Sequence, residues 1–146
     1  MKNLKIVLIG IASLFLIAGI VSLLMSNKTY TASDVFRGNF SAEGGTLSIV
    51  KIDDEAKVGD ERFVELPVSA EQQYELLRLL EQAEYKKIKG SQFGKSEYFL
   101  DLKSPSVHTI SYNTTADAIH VQDGDEAYKI NDDGAFKKAF DEAVKQ

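Results

Sequence analysis

The chain has 146 residues, with 17 basic and 22 acidic side chains. Two of the basic residues and none of the acidic ones precede position 26, so the remainder carries a net charge of −7 (15 basic against 22 acidic). This sign argues against nucleic acid as a partner, because neutralising phosphates supplies most non-specific affinity. The absence of cysteine excludes disulfides and thiolate metal sites.

The N-terminal region is dominated by an uncharged apolar run of 20 residues, 6–25. As an α-helix this run is about 30 Å long, which matches the hydrocarbon core of a bilayer. A single segment that crosses a bilayer alone can satisfy its backbone hydrogen bonds only as an α-helix. We therefore predict that residues 1–25 form an N-terminal transmembrane anchor, which contacts the lipid bilayer through residues 6–25.

A secreted protein with a cleaved signal peptide is the alternative. The run exceeds the usual signal core of about 7–15 residues. The residues at its end, Leu23-Leu24-Met25, lack the small side chains of a cleavage site. A retained signal-anchor is favoured, and cleavage stays open.

Basic residues beside the run predict its orientation. Lys2, Lys5 and the α-amino group precede it, whereas Lys28 and the more distant Arg37 follow it. The positive-inside rule then places the N-terminus in the cytoplasm and the C-terminal domain outside, on a single-pass membrane protein.

After the anchor, residues 26–45 are rich in Ser, Thr, Asn and Gly, which predicts a linker with one strand near Val35–Phe40. Residues 46–146 are long enough for one compact extracytoplasmic domain. Its first elements are a strand pair, 46–52 and 62–68, and Pro67 predicts that the second strand is an edge strand or ends at this residue.

A helix then begins at Ser69, because Ser69 and Gln72 have the spacing of a capping box. The helix buries one stripe of apolar side chains, formed by Leu76, Leu77, Leu80 and Ala83.

The next region predicts an antiparallel meander. Strands at 97–102 and 107–112 are joined by a turn at 104–106. A hairpin over 118–130 turns at Asp123-Gly124, and a type I′ turn there places Ile119 opposite Tyr128 and Val121 opposite Glu126.

The chain ends in a second amphipathic helix, capped by Asn131, Asp132 or Asp133. Its apolar stripe consists of Phe136, Ala139, Phe140, Ala143 and Val144. The element order predicts an α+β fold, in which an antiparallel sheet carries two packed amphipathic helices on one face.

Histidine chemistry rests on His108 and His120, which are the only histidines. A metal site requires them to converge with carboxylates such as Asp101 or Asp117, and their spacing along two strands does not demand this. We therefore predict that both histidines lie in strands with their side chains facing solvent, and that neither binds a metal ion.

Three acidic clusters, 53–55, 123–126 and 131–134, lack the calcium-loop pattern. A hairpin turn and a helix N-terminus account for the second and third. Nucleophile motifs and phosphate loops are also absent from the sequence, so we predict no catalytic residue and no cofactor.

One basic segment stands out in this acidic chain, with lysines at Lys86, Lys87, Lys89 and Lys95. These residues are candidates for contact with anionic lipid headgroups, wall-polymer phosphates or an acidic partner. The alternative is an edge strand whose lysines prevent aggregation.

The layout of an anchor, a capped Leu-rich helix and short strands ending in Tyr128-Lys-Ile-Asn-Asp-Asp-Gly-Ala-Phe136 resembles small membrane-anchored or secreted extracytoplasmic proteins of Gram-positive bacteria. The resemblance implies a cell-surface location and transfers no functional residue.

We therefore predict a non-enzymatic, membrane-tethered interaction or regulatory domain with a membrane or cell-surface protein as partner. Tethering favours this function because it raises the effective concentration toward other membrane components. Val35-Phe36 or the sheet face without helices would supply the contact. The alternative is a ligand-binding module for cell-wall polymer, lipid headgroup or metal, and an enzyme ranks third.

Overall fold

The computed structural model describes residues 2–58, 62–122 and 124–145. Within these ranges the chain is α+β, with five helices and eight strands in one antiparallel sheet. The elements in chain order are α1 Lys2–Ser26, β1 Thr29–Tyr30, α2 Ala32–Val35, β2 Thr46–Ile52, β3 Phe63–Leu66, α3 Ala70–Gln82, β4 Glu84–Ile88, α4 Gly90–Phe93, β5 Tyr98–Lys103, β6 Val107–Asn113, β7 Ala118–Val121, β8 Ala127–Asn131 and α5 Ala135–Val144. The strands lie in the order β1-β4-β8-β7-β6-β5-β2-β3.

Helix α1 covers the apolar N-terminal run. Its described side chains, at 7 and 9–24, are exposed, and none of them belongs to the hydrophobic cores. Over the side chains that the structure describes, no helix reaches the length and apolarity needed to cross a membrane. The predicted span also includes Ile6, Leu8 and Met25, whose side chains are not among those that the structure describes. Membrane insertion of α1 stays a prediction.

The predicted strand pair and the helix after it are confirmed. Strand β2 pairs with β3, and β3 lies at the end of the sheet, where Pro67 stops the ladder. In α3, the Ser69 side chain accepts from the Gln72 amide and the Gln72 side chain accepts from the Ser69 amide. This reciprocal capping box fixes the start of the helix.

The meander and the hairpin are also confirmed. Strand β5 pairs with β6, β6 with β7 and β7 with β8, and Ile119 lies opposite Tyr128 as predicted. The β7–β8 ladder extends only to His120 opposite Ala127, so it does not contain the predicted pairing of Val121 with Glu126. Asp123 of the predicted turn lies outside the described residues.

The sheet has a core face, covered by α3 and α5, and an outer face. Alternate side chains of the strands point to the core face, as a period of two requires. Tyr98 packs edge-on against Phe140, and Tyr112 packs against both Phe136 and Phe140. The core-facing strand residues include Leu47, Ile49, Leu100, Leu102, Ile110, Tyr112, Ile119, Val121, Tyr128 and Ile130. Both long helices of the domain therefore pack on one face.

The prediction of a strand near Val35–Phe40 is wrong. Thr31 caps the short helix α2 through a capping box with Asp34, and Val35 lies inside this helix. The aromatic rings of Phe36 and Phe40 then stack at 4.5 Å. The capping signal of Thr31 and Asp34 determines the local structure here.

Much of residues 26–45 also packs into the core, contrary to the predicted linker. The buried side chains of this segment are Ala32, Val35, Phe36, Phe40 and Ala42. Its backbone is held by the Ser104 hydroxyl, which accepts from the Ser41 amide, and by the Glu81 carboxylate, which accepts from the Ala42 amide. The polar composition is explained by capping and turn residues between the buried apolar positions.

The start of α5 differs in detail from the prediction. Its N-cap is Gly134 with φ of 80°. Asp132, two residues before this N-cap, caps the helix with its side chain. Its carboxylate accepts hydrogen bonds from the amides of Gly134 and Phe136. An acidic group at this end also complements the helix dipole.

Candidate functional site

The four candidate lysines do not form one surface. Lys86 and Lys87 are consecutive in β4, so their side chains leave opposite faces of the sheet. Lys87 shares the core face with Tyr85, whereas Lys86 lies on the outer face. Lys89 precedes α4 and Lys95 follows it.

Two of these lysines are engaged by carboxylates. The Lys87 ammonium donates to Glu126, and this hydrogen bond is the main reason that the pKa of Glu126 is lowered. The Lys95 ammonium lies 2.5 Å from the Asp54 carboxylate, which also meets Arg62 at 3.7 Å. The hydrogen bond from Lys95 lowers the pKa of Asp54. Within the described residues, Lys86 has no carboxylate within 4 Å.

Strand β4 is almost an edge strand, because its outer neighbour β1 has only two residues. Lysine on such a strand disfavours pairing with another chain. This placement agrees with the solubility role that the sequence offered as an alternative, and contact with an anionic ligand stays a prediction.

The two histidines lie on opposite faces of the sheet. His108 is paired with the core-facing Leu102, and its ring is 5.5 Å from that of Phe36. The expectation that it faces solvent is wrong, because it lies half-buried at the core margin. His120 lies on the outer face, where its ring is 5.9 Å from that of Phe93. A thin sheet separates them, so they do not share a site.

In the described ranges, several acidic side chains accept hydrogen bonds that stabilise turns, strand pairs or a helix start. The Asp53 carboxylate accepts from the Glu55 amide, Asp101 accepts from the Thr109 hydroxyl, and Asp132 holds the start of α5. Within the described ranges no three His, Asp or Glu side chains are placed to hold a metal ion.

A hydroxyl–carboxylate pair between a buried tyrosine and a half-buried aspartate, which the sequence did not reveal, lies at the end of the β6–β7 hairpin. The Tyr112 hydroxyl donates to Asp117 at 2.9 Å. Burial raises the pKa of Asp117 and also that of Tyr112. Asp117 has φ of 49°, in the left-handed region. A turn residue with this role gives no signal in a single sequence.

The outer face carries an aromatic pair near the β3 edge, in which Phe63 is exposed and Phe99 is half-buried. Phe63 is paired with Ile52 and Val50 with Phe99, so all four side chains share the outer face. The rings of Phe63 and Phe99 are 6.1 Å apart, and Phe63 is 55% exposed. We call Val50, Ile52, Phe63 and Phe99 the outer-face patch.

Tyrosines organise the region where α1 joins the domain. Tyr30 of β1 packs edge-on against Tyr128 at 5.5 Å, and the Lys28 ammonium lies 4.9 Å from the Tyr30 ring centre. The Tyr128 hydroxyl donates to Glu126 at 2.5 Å. A small cleft of about 30 Å³ beside Arg37 has room for about one water molecule.

The larger clefts are open and shallow. One, of about 420 Å³, follows the β3 edge beside Leu66 and Gln73. A second, of about 360 Å³, lies between α3 and α5 beside Tyr74 and three glutamates. Neither contains one of the histidines. The outer-face patch borders a third, of about 390 Å³, at Phe63 and Phe99.

Comparison of the chain with protein-family models, with curated proteins and with solved structures finds no match.

Proposed function

We propose that this chain is a membrane-tethered, extracytoplasmic interaction domain that is not an enzyme, held by α1 with its N-terminus in the cytoplasm. The observation that carries the tether is the exposure of α1. Its described apolar side chains are uncovered and lie outside both hydrophobic cores. An uncovered rod of Leu, Ile, Val and Phe is strongly unfavourable in water. The lipid bilayer is the cover that suits its length and its uncharged run 6–25.

A direct test uses cells that express the full chain. We expect the protein to remain in the membrane pellet after washes with salt and alkaline carbonate, and to be released by detergent. We also expect its mature N-terminus to include residues 1–25 and external protease to digest the domain in intact cells. Release without detergent, or a mature chain that starts after the apolar run, would refute the tether.

The interaction part of the proposal is supported by the outer-face patch. Val35 and Phe36, the other predicted contact, are buried and cannot bind a partner. Phe63 and Phe99 instead present adjacent rings on the side of the sheet that carries neither α3 nor α5. Exposed aromatic side chains are enriched where proteins bind each other. The partner that the tether favours is another membrane or cell-surface protein.

A matched pair of variants tests this surface. Phe63 and Tyr74 are similarly exposed, at 55% and 53%, but Tyr74 lies on α3 on the other side of the molecule. We expect the anchored wild-type protein and Tyr74→Ser to co-purify one stoichiometric membrane partner from detergent extracts. For Phe63→Ser we expect the yield of the partner to fall at least about ten-fold. Truncating an aromatic side chain at the centre of an interface costs about 2 kcal/mol or more of binding free energy. Equal yields of the partner from the two variants would refute the proposal that the outer-face patch binds it.

The non-enzymatic part is supported by the separation of the titratable side chains. His108 and His120 lie on opposite faces, and each packs on a phenylalanine. Without convergence of an acid, a base and a reacting group, general acid–base catalysis has no geometry to work in. An assay in which the purified full chain hydrolysed a wall-polymer or ester substrate would overturn this part.

A further inference from the structure

The junction between α1 and the sheet is very short. Only Asn27 and Lys28 separate the end of α1 at Ser26 from β1 at Thr29. Three peptide steps of about 3.8 Å keep Thr29 within about 11 Å of Ser26. If α1 spans the bilayer as proposed, β1 lies at the level of the lipid headgroups.

Strand β1 is also part of the sheet, so the domain begins at Thr29, separated from α1 by two residues. Thr29 pairs with Lys86 and Tyr30 with Tyr85 in the ladder with β4. Tyr30 in addition packs against Tyr128 of β8. The β1-β4-β8 side of the sheet is therefore the part of the domain that joins the anchor, and with α1 in the bilayer it would lie closest to the membrane.

Two unpaired lysines lie on the outer face of this side. Lys86 of β4 is directly opposite Lys129 of β8, and both side chains are exposed. Like charges directly opposite in neighbouring strands are unfavourable. Within the described residues, neither ammonium has a carboxylate within 4 Å, although Asp117 and Lys129 attract each other weakly at longer range. Lys86 and Lys129 lie about one and two strand spacings from Thr29, or up to about 10 Å.

We propose that Lys86 and Lys129 form a contact surface for the phosphates of anionic lipid headgroups. This inference rests on the proposed tether. A phosphate between the two lysines offsets their mutual repulsion, and charge complementarity favours an anionic membrane surface although the domain as a whole is acidic. Tyr30, in β1 just after the anchor, is an aromatic residue of the kind enriched at membrane interfaces. The contact would fix the orientation of the domain relative to the membrane.

The test measures lysine reactivity in the full chain, inserted in nanodiscs of phosphatidylcholine alone or of phosphatidylcholine mixed equally with phosphatidylglycerol. Each lysine is acetylated, and its rate is followed by peptide mass spectrometry. We expect Lys86 and Lys129 to react about five-fold more slowly in the anionic nanodiscs, as about 1 kcal/mol per lysine implies. The controls are Lys103, which shares the outer face but lies on β5, and Lys138 on α5. Their rates are expected to be the same in both lipids.

Each other outcome identifies what fails. Equal rates for Lys86 and Lys129 in the two lipids, with the chain retained in the nanodiscs, overturn the headgroup contact and leave the tether standing. Slower reaction on addition of inorganic phosphate to neutral nanodiscs, without an effect of anionic lipid, assigns the lysines to free phosphate and also overturns it. A chain that does not co-elute with nanodiscs refutes the tether, and the headgroup contact with it.

Discussion

The hydroxyl of Tyr112, which is fully buried, donates a hydrogen bond of 2.9 Å to Asp117, and burial raises the pKa of that carboxyl group. The pair satisfies the buried hydroxyl of Tyr112. The negative charge of Asp117, in contrast, is held in an environment that disfavours it.

Two substitutions at Asp117 separate these effects. Asp117→Ala leaves the Tyr112 hydroxyl without an acceptor, and we expect it to lower the free energy of unfolding by about 1–3 kcal/mol. Asp117→Asn keeps an acceptor oxygen, removes the charge and suits the left-handed backbone. We expect it to be at least as stable as wild type at neutral pH. Urea unfolding measures both values.

The same pair predicts a pH dependence. Because the folded pKa of Asp117 lies above the unfolded value of about 3.9, the folded state binds more protons between the two values. Stability from this group therefore falls as the pH rises through that window. The advantage of Asp117→Asn over wild type should vanish at a pH below both values and reach its full size above the folded pKa. An advantage that is constant with pH would contradict this assignment.

The segment before β2 is predicted to be required for folding. Phe36 is 1% exposed and contacts Phe40, Tyr85 and His108. We expect Phe36→Ala to lower the free energy of unfolding by about 3–5 kcal/mol. A chain that starts at residue 46 loses this ring and the other buried side chains of the segment, so we expect it to lack a cooperative thermal transition. A chain starting at residue 27 should retain one.

Phe63→Ala is the control for this prediction, because Phe63 is exposed and contacts only one other ring in the described structure. It should cost about 1 kcal/mol or less. Cooperative folding of the chain that starts at residue 46 would show that residues 26–45 are dispensable, as the composition of that segment suggested.

Asp132 is predicted to stabilise the start of α5. Its carboxylate accepts from the amides of Gly134 and Phe136, and the N-cap Gly134 has no side chain for this purpose. Asp132→Ala should lower the free energy of unfolding by about 1 kcal/mol, the usual cost of losing such a cap. Asp133→Asn is the control, because Asp133 makes no comparable bond in the described structure and Asn tolerates its positive φ. Equal losses in the two variants would contradict the role of Asp132.

Local signals predicted most of the fold. The capping box at Ser69, the strand at 46–52 and the hairpin over 118–130 are each encoded within a few residues, and the structure contains all three. The same is true of the edge position of β3, because Pro67 cannot extend a ladder.

Features that depend on distant residues could not be predicted. The pairing of β4 with β1 and β8 joins segments far apart in sequence, so the opposition of Lys86 and Lys129 has no local signature. The burial of Phe36 likewise depends on Tyr85. The amino-acid composition of residues 26–45 predicted a linker, because an average over the segment hides the few apolar residues that pack into the core. The candidate lysines were grouped by sequence proximity, whereas the sheet separates Lys86 from Lys87 by face.

The final prediction concerns Gly45, where the N-terminal segment enters β2. A Cβ atom at this position would lie 3.0 Å from Leu77 Cδ1 and 3.1 Å from the Lys103 carbonyl oxygen. The backbone oxygen cannot move without disturbing the β2–β5 ladder, so we expect Gly45→Ala to cost about 1–3 kcal/mol. Gly90 is a matched control, since no atom lies within 4 Å of its added Cβ. Gly90→Ala should be neutral or stabilising by up to about 1 kcal/mol. Thermal unfolding of both variants decides whether the close contact at Gly45 holds the segment against α3, and equal midpoints would show that it does not.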